Sequence, residues 1–227
     1  MTVTDVNVVK SAIFERPDDA NKGTLGSLLC VCGSYGMAGA AVMSAKGALR
    51  TGIGLAKCAL PRSVYPIVAQ TILESVYYPL SENADGRISK VNVPFLVSES
   101  CKSSATLVGC GLGVCDDTLK IVFSFIENST TPLVLDADAL NCVAKQPEIL
   151  LRKKAPIIIT PHPGEMSRLT GLATPLVNAE RERVALDFAQ KYGVVTVLKG
   201  AGTVIASPNG KVLVNPTGNS GMATGGS

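Results

Sequence analysis

The chain has 227 residues, which is enough for one domain of ordinary size with a full hydrophobic core. Its 46% hydrophobic residues, 17% charged residues and 22 glycines are typical of a compact α/β protein and exclude a disordered or fibrous one. The net charge is only +3, and the densest basic cluster, Arg152-Lys153-Lys154, is interpreted as a solvated helix end, so we expect no nucleic-acid partner.

The cysteines and the apolar segments indicate the cellular compartment in which the protein works. There are seven cysteines, an odd number, with no CxxC pair, and His162 is the only histidine, so the ligands of a zinc site are missing. We expect reduced, mostly buried thiols. The N-terminus lacks the basic start and apolar core of a signal peptide, and no apolar run reaches the roughly 20 residues of a membrane helix. These features predict a cytoplasmic protein with no membrane partner.

Short apolar runs alternate with longer amphipathic segments along the chain. Strands buried on both faces are predicted at 27–32, 53–60, 105–109, 132–136, 156–160 and 194–198. Helices are predicted at 38–50, 116–127, 137–144 and 176–191, the last with a charged face at 180–183. A hairpin is predicted from 203–207 and 211–215, joined by Pro-Asn-Gly. The alternation predicts one α/β domain over 1–227: a mostly parallel sheet, helices on both faces and an antiparallel edge hairpin.

Ligands of such folds bind at the carboxyl ends of the strands. Loops rich in glycine and small hydroxyl residues follow six of the predicted strands, at 33–41, 109–113, 136–141, 160–171, 199–203 and 215–227. Loop 33–41 leads into a helix and is interpreted either as a phosphate-binding loop or as a tight turn. Gly109, Gly111 and Gly113 resemble half of a dinucleotide fingerprint, which is a weak signal alone. The clustering of these six loops predicts a large site at this edge.

Five polar residues interrupt the apolar pattern at these strand ends. Asp136 and Asp138 are candidates either for organising Mg²⁺ through water or for capping the helix that follows. His162 lies between two prolines with little apolar pattern around it, which favours ligand contact over a structural role. Glu165 is expected to cap the next helix or to help bind metal. Lys199 ends a strand, where it is positioned for nucleotide phosphates or for covering apolar surface with its stem.

The final segment, 215-NPTGNSGMATGGS-227, has the composition of an anion-binding loop. No apolar helix follows it to add a positive helix end or to cover the sheet. We therefore expect the native protein to continue beyond Ser227.

Taken together, these motifs resemble the ADP/ATP-dependent NAD(P)H-hydrate dehydratases of the ribokinase-like superfamily. The resemblance extends from about Lys22 to the last residue, and the motifs occur in the same order as in that family. The PHPGE and NxTGNxGMATGGS elements are the most specific parts. It is carried by 33-GSYGMAGAA-41, 46-KGALRTGIGL-55, 107-LVGCGLG-113, 135-LDADALN-141, 160-TPHPGEM-166, 198-LKGAGT-203 and 215-NPTGNSGMATGGS-227.

The resemblance implies a ribokinase-like fold and a repair reaction. The substrate would be the S epimer of hydrated NADH or NADPH, and ADP or ATP with Mg²⁺ would phosphorylate its hydroxyl group before phosphate is eliminated. The family's base is an aspartate in a Gly-Asp pair that directly follows GGS, so it would come just after Ser227. The resemblance also implies a homotetramer and a functional partnership with an NAD(P)HX epimerase. Cys110 stands where the family commonly has proline, which puts the rigidity of that loop in question.

The resemblance assigns binding roles by matching positions and assigns no metal ligand. The substrate-binding residues would be Ala40, Gly111, Gly113 and His162. The nucleotide-binding residues would be Lys199, Gly200, Ala201, Gly202 and Thr203. The anion hole would comprise Thr217, Gly218, Asn219, Gly225, Gly226 and Ser227.

Two alternatives remain open from the sequence. One is a small-molecule kinase of the same superfamily, acting on an alcohol of the hydroxyethylthiazole type with the same anion hole. The other is a nucleotide-binding protein without catalytic activity. The PHPGE and GMATGGS elements favour the dehydratase.

Overall fold

The computed structural model describes residues 2–3, 9–10, 13 and 16–225. Its strands are β1 Thr2–Val3, β2 Ser27–Val31, β3 Leu55–Pro61, β4 Val76–Leu80, β5 Ala105–Val108, β6 Leu133–Leu135, β7 Ile157–Ile159, β8 Val195–Leu198, β9 Thr203–Ala206 and β10 Val212–Asn215. Its α-helices are α1 Ala38–Thr51, α2 Tyr65–Ala69, α3 Val93–Cys101, α4 Asp116–Asn128, α5 Asp138–Val143, α6 Pro163–Thr170, α7 Thr174–Ala179 and α8 Arg181–Tyr192. Short 3₁₀ segments lie at Lys90–Asn92, Pro147–Arg152 and Ser220–Met222.

These described strands form one sheet in the order β1-β10-β9-β8-β7-β6-β5-β2-β3-β4. Strands β2 to β8 are parallel to one another, whereas β9 is antiparallel to β8 and to β10. The predicted α/β class, the strands and the hairpin are confirmed, with strand ends shifted by one or two residues. The short β1 pairs with β10 outside the hairpin. Because β3 and β5 lie on opposite sides of β2, the strand order reverses between β2 and β5.

Side chains of β2 alternate between two hydrophobic clusters, as the period of a strand requires. Leu29 and Val31 belong to the larger cluster, which α3 to α8 cover. Cys30 and Cys32 belong to the smaller cluster on the other face, which α1 and α2 cover. The sheet is therefore packed between helices at β2 and β3. All seven cysteines are free and four of them are buried, which confirms the prediction of mostly buried thiols.

The prediction that the strands are buried on both faces is wrong for β6 to β8. In β6 to β9, residues alternate between fully buried and half-buried positions. Val134, Ile158, Val197 and Ile205 are the half-buried members, although their sequence reads as continuously apolar. The described helices cover only the opposite face of these four strands. A short apolar run predicts a strand but does not show how many of its faces are covered.

The predicted helix at 176–191 is two helices, because the backbone at Glu180 leaves the helical region (φ −125°, ψ 40°) between α7 and α8. Strand β4 and the short helices α2 and α3 were not predicted. Pro79 lies within β4 and obscured the strand pattern, but an edge strand tolerates a proline. Among the described residues, no helix combines the length and apolarity needed to cross a bilayer.

Candidate functional site

The reversal of strand order between β2 and β5 places two glycine-rich loops side by side. Loop 33–37 follows β2 and loop 109–113 follows β5, both at the carboxyl edge of the sheet. Gly33 N–H donates to the carbonyl of Cys110 at 2.8 Å, and the buried Ser34 hydroxyl donates to the carbonyl of Gly111 at 2.8 Å. Loop 109–113 is thus anchored by hydrogen bonds at Cys110 and Gly111. In open α/β sheets, such a reversal is where ligands bind.

Three of the predicted substrate-binding residues lie together at this reversal. A Cβ atom built on the buried Gly111 would lie 2.7 Å from the Cβ of Ala40, so the two residues are in direct contact. Gly113 follows on the same loop, and its N–H donates to Asp138 Oδ2 at 2.8 Å. The close approach of loop 109–113 to the start of α1 depends on the absence of a side chain at position 111.

Gly109 connects this loop to the next strand end along the sheet. Its φ is +130°, which residues with side chains rarely adopt, and a Cβ at this position would lie 1.8 Å from the carbonyl oxygen of Asp136. Only glycine fits here. Local packing therefore requires Gly109, the first glycine of the pattern that resembles half of a dinucleotide fingerprint.

Asp136 is the centre of a polar cluster at the carboxyl end of β6. Its Oδ1 accepts hydrogen bonds from Lys199 Nζ at 2.7 Å and from Thr160 Oγ1 at 2.8 Å, and Cys110 Sγ lies 3.5 Å from Oδ2. Burial alone would raise the pKa of Asp136, but the hydrogen bonds and charge of Lys199, with help from Thr160, hold it below its usual value. Asp136 therefore links the ends of β5, β6, β7 and β8.

The capping interpretation of the two aspartates is wrong. Helix α5 begins after Ala137 without a side-chain cap; Asp136 bonds to Lys199 and Thr160, and Asp138 to Gly113. Ala137 adopts φ 51° and ψ −114°, the one positive φ among the described residues other than glycine. Such conformations cost on the order of 1–3 kcal/mol and cluster at functional sites.

His162 and Glu165 form a reciprocal cap at the start of α6. His162 Nδ1 accepts from the N–H groups of Gly164 at 3.0 Å and Glu165 at 3.4 Å, while Glu165 Oε2 accepts from His162 N–H at 2.8 Å. This decides the open question for Glu165 in favour of capping. The His162 side chain remains 50% exposed, and its Nε2 lies 3.5 Å from Glu165 Oε1. The imidazole thus has a structural role at the start of α6 and is still partly exposed at the site.

The predicted nucleotide loop at 199–203 turns from β8 into β9 at the same edge. Lys199 N–H donates to the carbonyl of Pro161 at 2.8 Å, which holds the loop against the segment after β7. Gly200 has φ +150°, and its carbonyl accepts from the Thr203 hydroxyl at 3.0 Å. The Lys199 ammonium points to Asp136 and is 39% exposed, so it is directed into the site and is not merely covering apolar surface.

The predicted anion-hole loop follows β10, which is parallel to β8 and so ends at the same edge. The N–H and hydroxyl of Thr217 both donate to Asn215 Oδ1, and Asn219 Oδ1 accepts from Gly221 N–H at 2.9 Å. Gly218 has φ +109°, and the loop including Gly225 is exposed. Gly226 and Ser227 lie outside the described residues. The aspartate expected after Ser227 lies outside the chain and stays a prediction.

One segment at the site was not anticipated from the sequence. A turn at 83–86 places the carbonyl of Gly86 2.9 Å from Tyr35 N–H, and the side chain of Arg87 packs against Gly113. Its sequence, Asn-Ala-Asp-Gly, carries a turn signal that could have located it. Arg87, which also pairs with Asp85 at 3.5 Å, therefore brings a positive charge beside Gly113. Within the part of the chain that the structure describes, no group of three or more His, Cys, Asp or Glu residues is placed to hold a metal ion.

A family profile described as NAD(P)H-hydrate dehydratase matches residues 28–227. The chain belongs to this family. The resemblance carried by the motifs is thereby confirmed. Curated relatives include a bifunctional NAD(P)H-hydrate repair enzyme from Thermofilum pendens, 40% identical over 93% of this chain, and an ADP-dependent (S)-NAD(P)H-hydrate dehydratase from Neisseria meningitidis, 34% identical over 93% of this chain.

The solved structures include an ADP/ATP-dependent NAD(P)H-hydrate dehydratase from Bacillus subtilis, co-crystallised with ATP and Mg²⁺. It is 31% identical, has a TM-score of 0.82 and covers 99% of this chain. The chain spans 76% of that structure, 68% of the Neisseria relative and 40% of the bifunctional Thermofilum relative. The ribokinase-like fold class is confirmed by these likenesses.

Proposed function

We propose that this protein dehydrates the S epimer of hydrated NADH and NADPH, with ADP or ATP as the phosphoryl donor. The observation that best supports the proposal is that two predicted binding regions lie next to each other at one edge of the sheet. The Ala40–Gly111 contact marks the substrate region, and Asp136 connects that region to Lys199 of the nucleotide loop through Cys110 and Gly109. A reaction that transfers a phosphoryl group between two bound ligands needs such adjacency.

Ala40, Gly111, Gly113 and His162 are the proposed substrate-binding residues. Ala40, Gly111 and Gly113 lie together at the reversal of strand order, where open α/β sheets bind dinucleotides, and the partly exposed His162 follows β7 at the same edge. The charged Arg87 beside Gly113 adds attraction for a phosphate of the dinucleotide.

Loop 199–203 is the proposed site of the adenine nucleotide. Lys199 supplies a partly exposed positive charge, and the glycines at 200 and 202 let phosphate oxygens approach the backbone. The described acidic residues form no cage for Mg²⁺, so a magnesium ion would arrive with the nucleotide phosphates, as Mg²⁺ commonly does. Thr217, Gly218, Asn219, Gly225, Gly226 and Ser227 are proposed to form the anion hole for the transferred group.

The proposed chemistry replaces a poor leaving group with a good one. The substrate hydroxyl oxygen takes the terminal phosphoryl group of ATP or ADP, which leaves ADP or AMP and a phosphate ester. The lone pair of the ring nitrogen then expels phosphate as the C–O bond breaks, and loss of a ring proton gives NADH or NADPH. The protein's task is positioning and charge stabilisation.

The wider context follows from the same family assignment. A bifunctional repair enzyme among the relatives suggests that this chain acts together with an epimerase activity that supplies the S epimer. We propose a homotetramer in the cytoplasm. A kinase for small alcohols remains the competing reaction, and the family match argues against it.

The test is recovery of NADH absorbance when the full-length protein is incubated with enzymatically hydrated NADH, Mg²⁺ and either ADP or ATP. We expect recovery only with nucleotide. Lys199→Met should lower kcat/KM by roughly 10²-fold, the usual effect of losing one preorganised donor. Lys154→Met, which alters an exposed lysine away from this edge, serves as the matched control and should leave the rate unchanged.

Three outcomes would contradict the proposal. Equal recovery without nucleotide would exclude the phosphorylation step. Phosphorylation of a thiazole alcohol without action on the hydrate would support the kinase. Nucleotide binding without turnover of either substrate would support a non-catalytic role.

A further inference from the structure

Arg181, the first residue of α8, does not lie on the charged solvent face where the sequence places it. Its side chain turns back from the helix break at Glu180 and enters the space beneath loop 199–203. Nη2 donates to the carbonyl of Leu198 at 2.8 Å and approaches the carbonyl of Gly202 at 3.4 Å. The guanidinium thus joins the last residue of β8 to the residue before β9.

The guanidinium also lies directly against the centre of the loop. A Cβ atom built on Gly200 would lie 2.8 Å from Nη1 and 2.9 Å from Nη2 of Arg181. Any side chain at position 200 would displace Arg181 or the loop. The glycine and the arginine therefore fit each other, and together they determine the path of the loop backbone.

The charge of Arg181 has no ion-pair partner among the described residues, whereas Arg183, two residues further along the chain, pairs with Glu180 and Asp187. Its Nε is buried without a hydrogen-bond partner within the described part of the chain, and burial lowers its pKa from the usual value. An arginine still keeps its proton under these conditions. The two carbonyls offset only part of the cost of burying this charge, and a bound anion would offset more of it.

We propose that Arg181 is a positioning residue for the phosphates of the adenine nucleotide. It holds loop 199–203 open in the conformation that binds phosphate, and it places a positive charge beneath that loop. This inference rests on the proposed function, since it takes loop 199–203 as the nucleotide site. Nη2 carries both hydrogen bonds, and the planar guanidinium fixes their directions, so a lysine with its rotating ammonium replaces it only in part.

The test compares Arg181→Met, which keeps the stem but loses the charge and the fork, with Arg181→Lys, which keeps the charge. We expect Arg181→Met to raise the KM for ADP or ATP by about tenfold, the scale of one lost charge-assisted contact, with the KM for hydrated NADH unchanged. Arg181→Lys should recover part of this loss. Arg152→Met, at an exposed arginine paired with Glu127, is the matched control and should not change either KM.

Two results would overturn the role of Arg181. One is an unchanged nucleotide KM in a folded Arg181→Met variant, and the other is an equal rise in the KM of both substrates. If Arg181→Met does not fold, calorimetric titration of Arg181→Lys with ADP decides the matter, because wild-type affinity in that variant would also overturn the proposal. Failure of the proposed function is distinguishable, since the wild-type protein would then show no dependence on nucleotide at all.

Discussion

At the scale of single residues, Asp136 is the point where the strand ends of the site meet. It receives Lys199 and Thr160 on one oxygen and lies near the thiol of Cys110 on the other. Its charge balances Lys199 when no nucleotide is present. A nucleotide phosphate would therefore share the ammonium group with Asp136, which limits how tightly Lys199 alone can bind it.

The lowered pKa of Asp136 predicts how stability depends on pH. Because the folded-state pKa lies below the unfolded value of about 3.9, the stability that it contributes is present above that pH and is lost as the pH falls through the folded-state pKa. Asp136→Asn should therefore lower the free energy of unfolding at pH 7 by about 1.5–3 kcal/mol, the scale of a hydrogen bond to a charged group. Urea titrations at pH 7 and pH 3 measure this difference, which should shrink at pH 3.

An exposed aspartate provides the control for this experiment. Asp18→Asn, in a turn near the start of the described chain, should change stability by less than about 0.5 kcal/mol at either pH. A gap between wild type and Asp136→Asn that is equally large at pH 3 and pH 7 would show that the carboxylate charge is not the cause.

At the scale of elements, a contact at the end of a helix corrects what the local sequence pattern predicted. The basic cluster Arg152-Lys153-Lys154 was interpreted as solvated, and this is wrong for Lys153. Its Nζ donates to the carbonyl of Tyr192 at 2.7 Å, at the C-terminal end of α8. A positive charge there is favourable because the last carbonyls of a helix lack partners within the helix.

The cap of α6 makes the structural role of His162 separable from its proposed contact with substrate. His162→Ala should lower the free energy of unfolding by about 1 kcal/mol, because the cap is lost, and should also raise the KM for hydrated NADH. His162→Ser keeps a good capping oxygen but has no imidazole. We expect its stability in urea unfolding to be near that of wild type, with the same rise in KM as His162→Ala. If serine restores both properties, the imidazole only caps the helix and does not touch the substrate.

At the scale of the whole molecule, the carboxyl edge of the sheet couples ligand binding to folding, because the proposed nucleotide site is formed only when β7, β8 and β9 are in place. At a concentration of ADP or ATP about 100-fold above its dissociation constant, the folded state should gain roughly 2.7 kcal/mol. For a chain of this size, that corresponds to a rise in Tm of roughly 5–10 °C. Differential scanning fluorimetry measures it, with adenosine, which lacks phosphate, as the control.

No rise in Tm at millimolar nucleotide would argue against a nucleotide site on this chain. An equal rise with adenosine would show that contacts with the nucleoside stabilise the protein, and not contacts of the phosphates with Lys199 and its loop.

Much of the fold could be predicted because parallel strands read as short apolar runs, and the glycine-rich loops after them mark the carboxyl edge. The predicted strands from 27–32 to 211–215 were located to within two residues. Strand β4 was missed because Pro79 interrupts its pattern, and α3 was not predicted either. The break at Glu180 was missed since no glycine or proline marks it.

The amino-acid sequence by itself determined the order of the strands along the chain, the positions of the site loops and the family, because these depend on local periodicity and on residue identity. Only the tertiary structure decided that Asp136 bonds to Lys199 across 63 positions and that Arg181 lies beneath Gly200. Such partners are selected by which strand ends become neighbours in the sheet and by how far a side chain reaches. Neither quantity is present in a local pattern of apolar and polar residues.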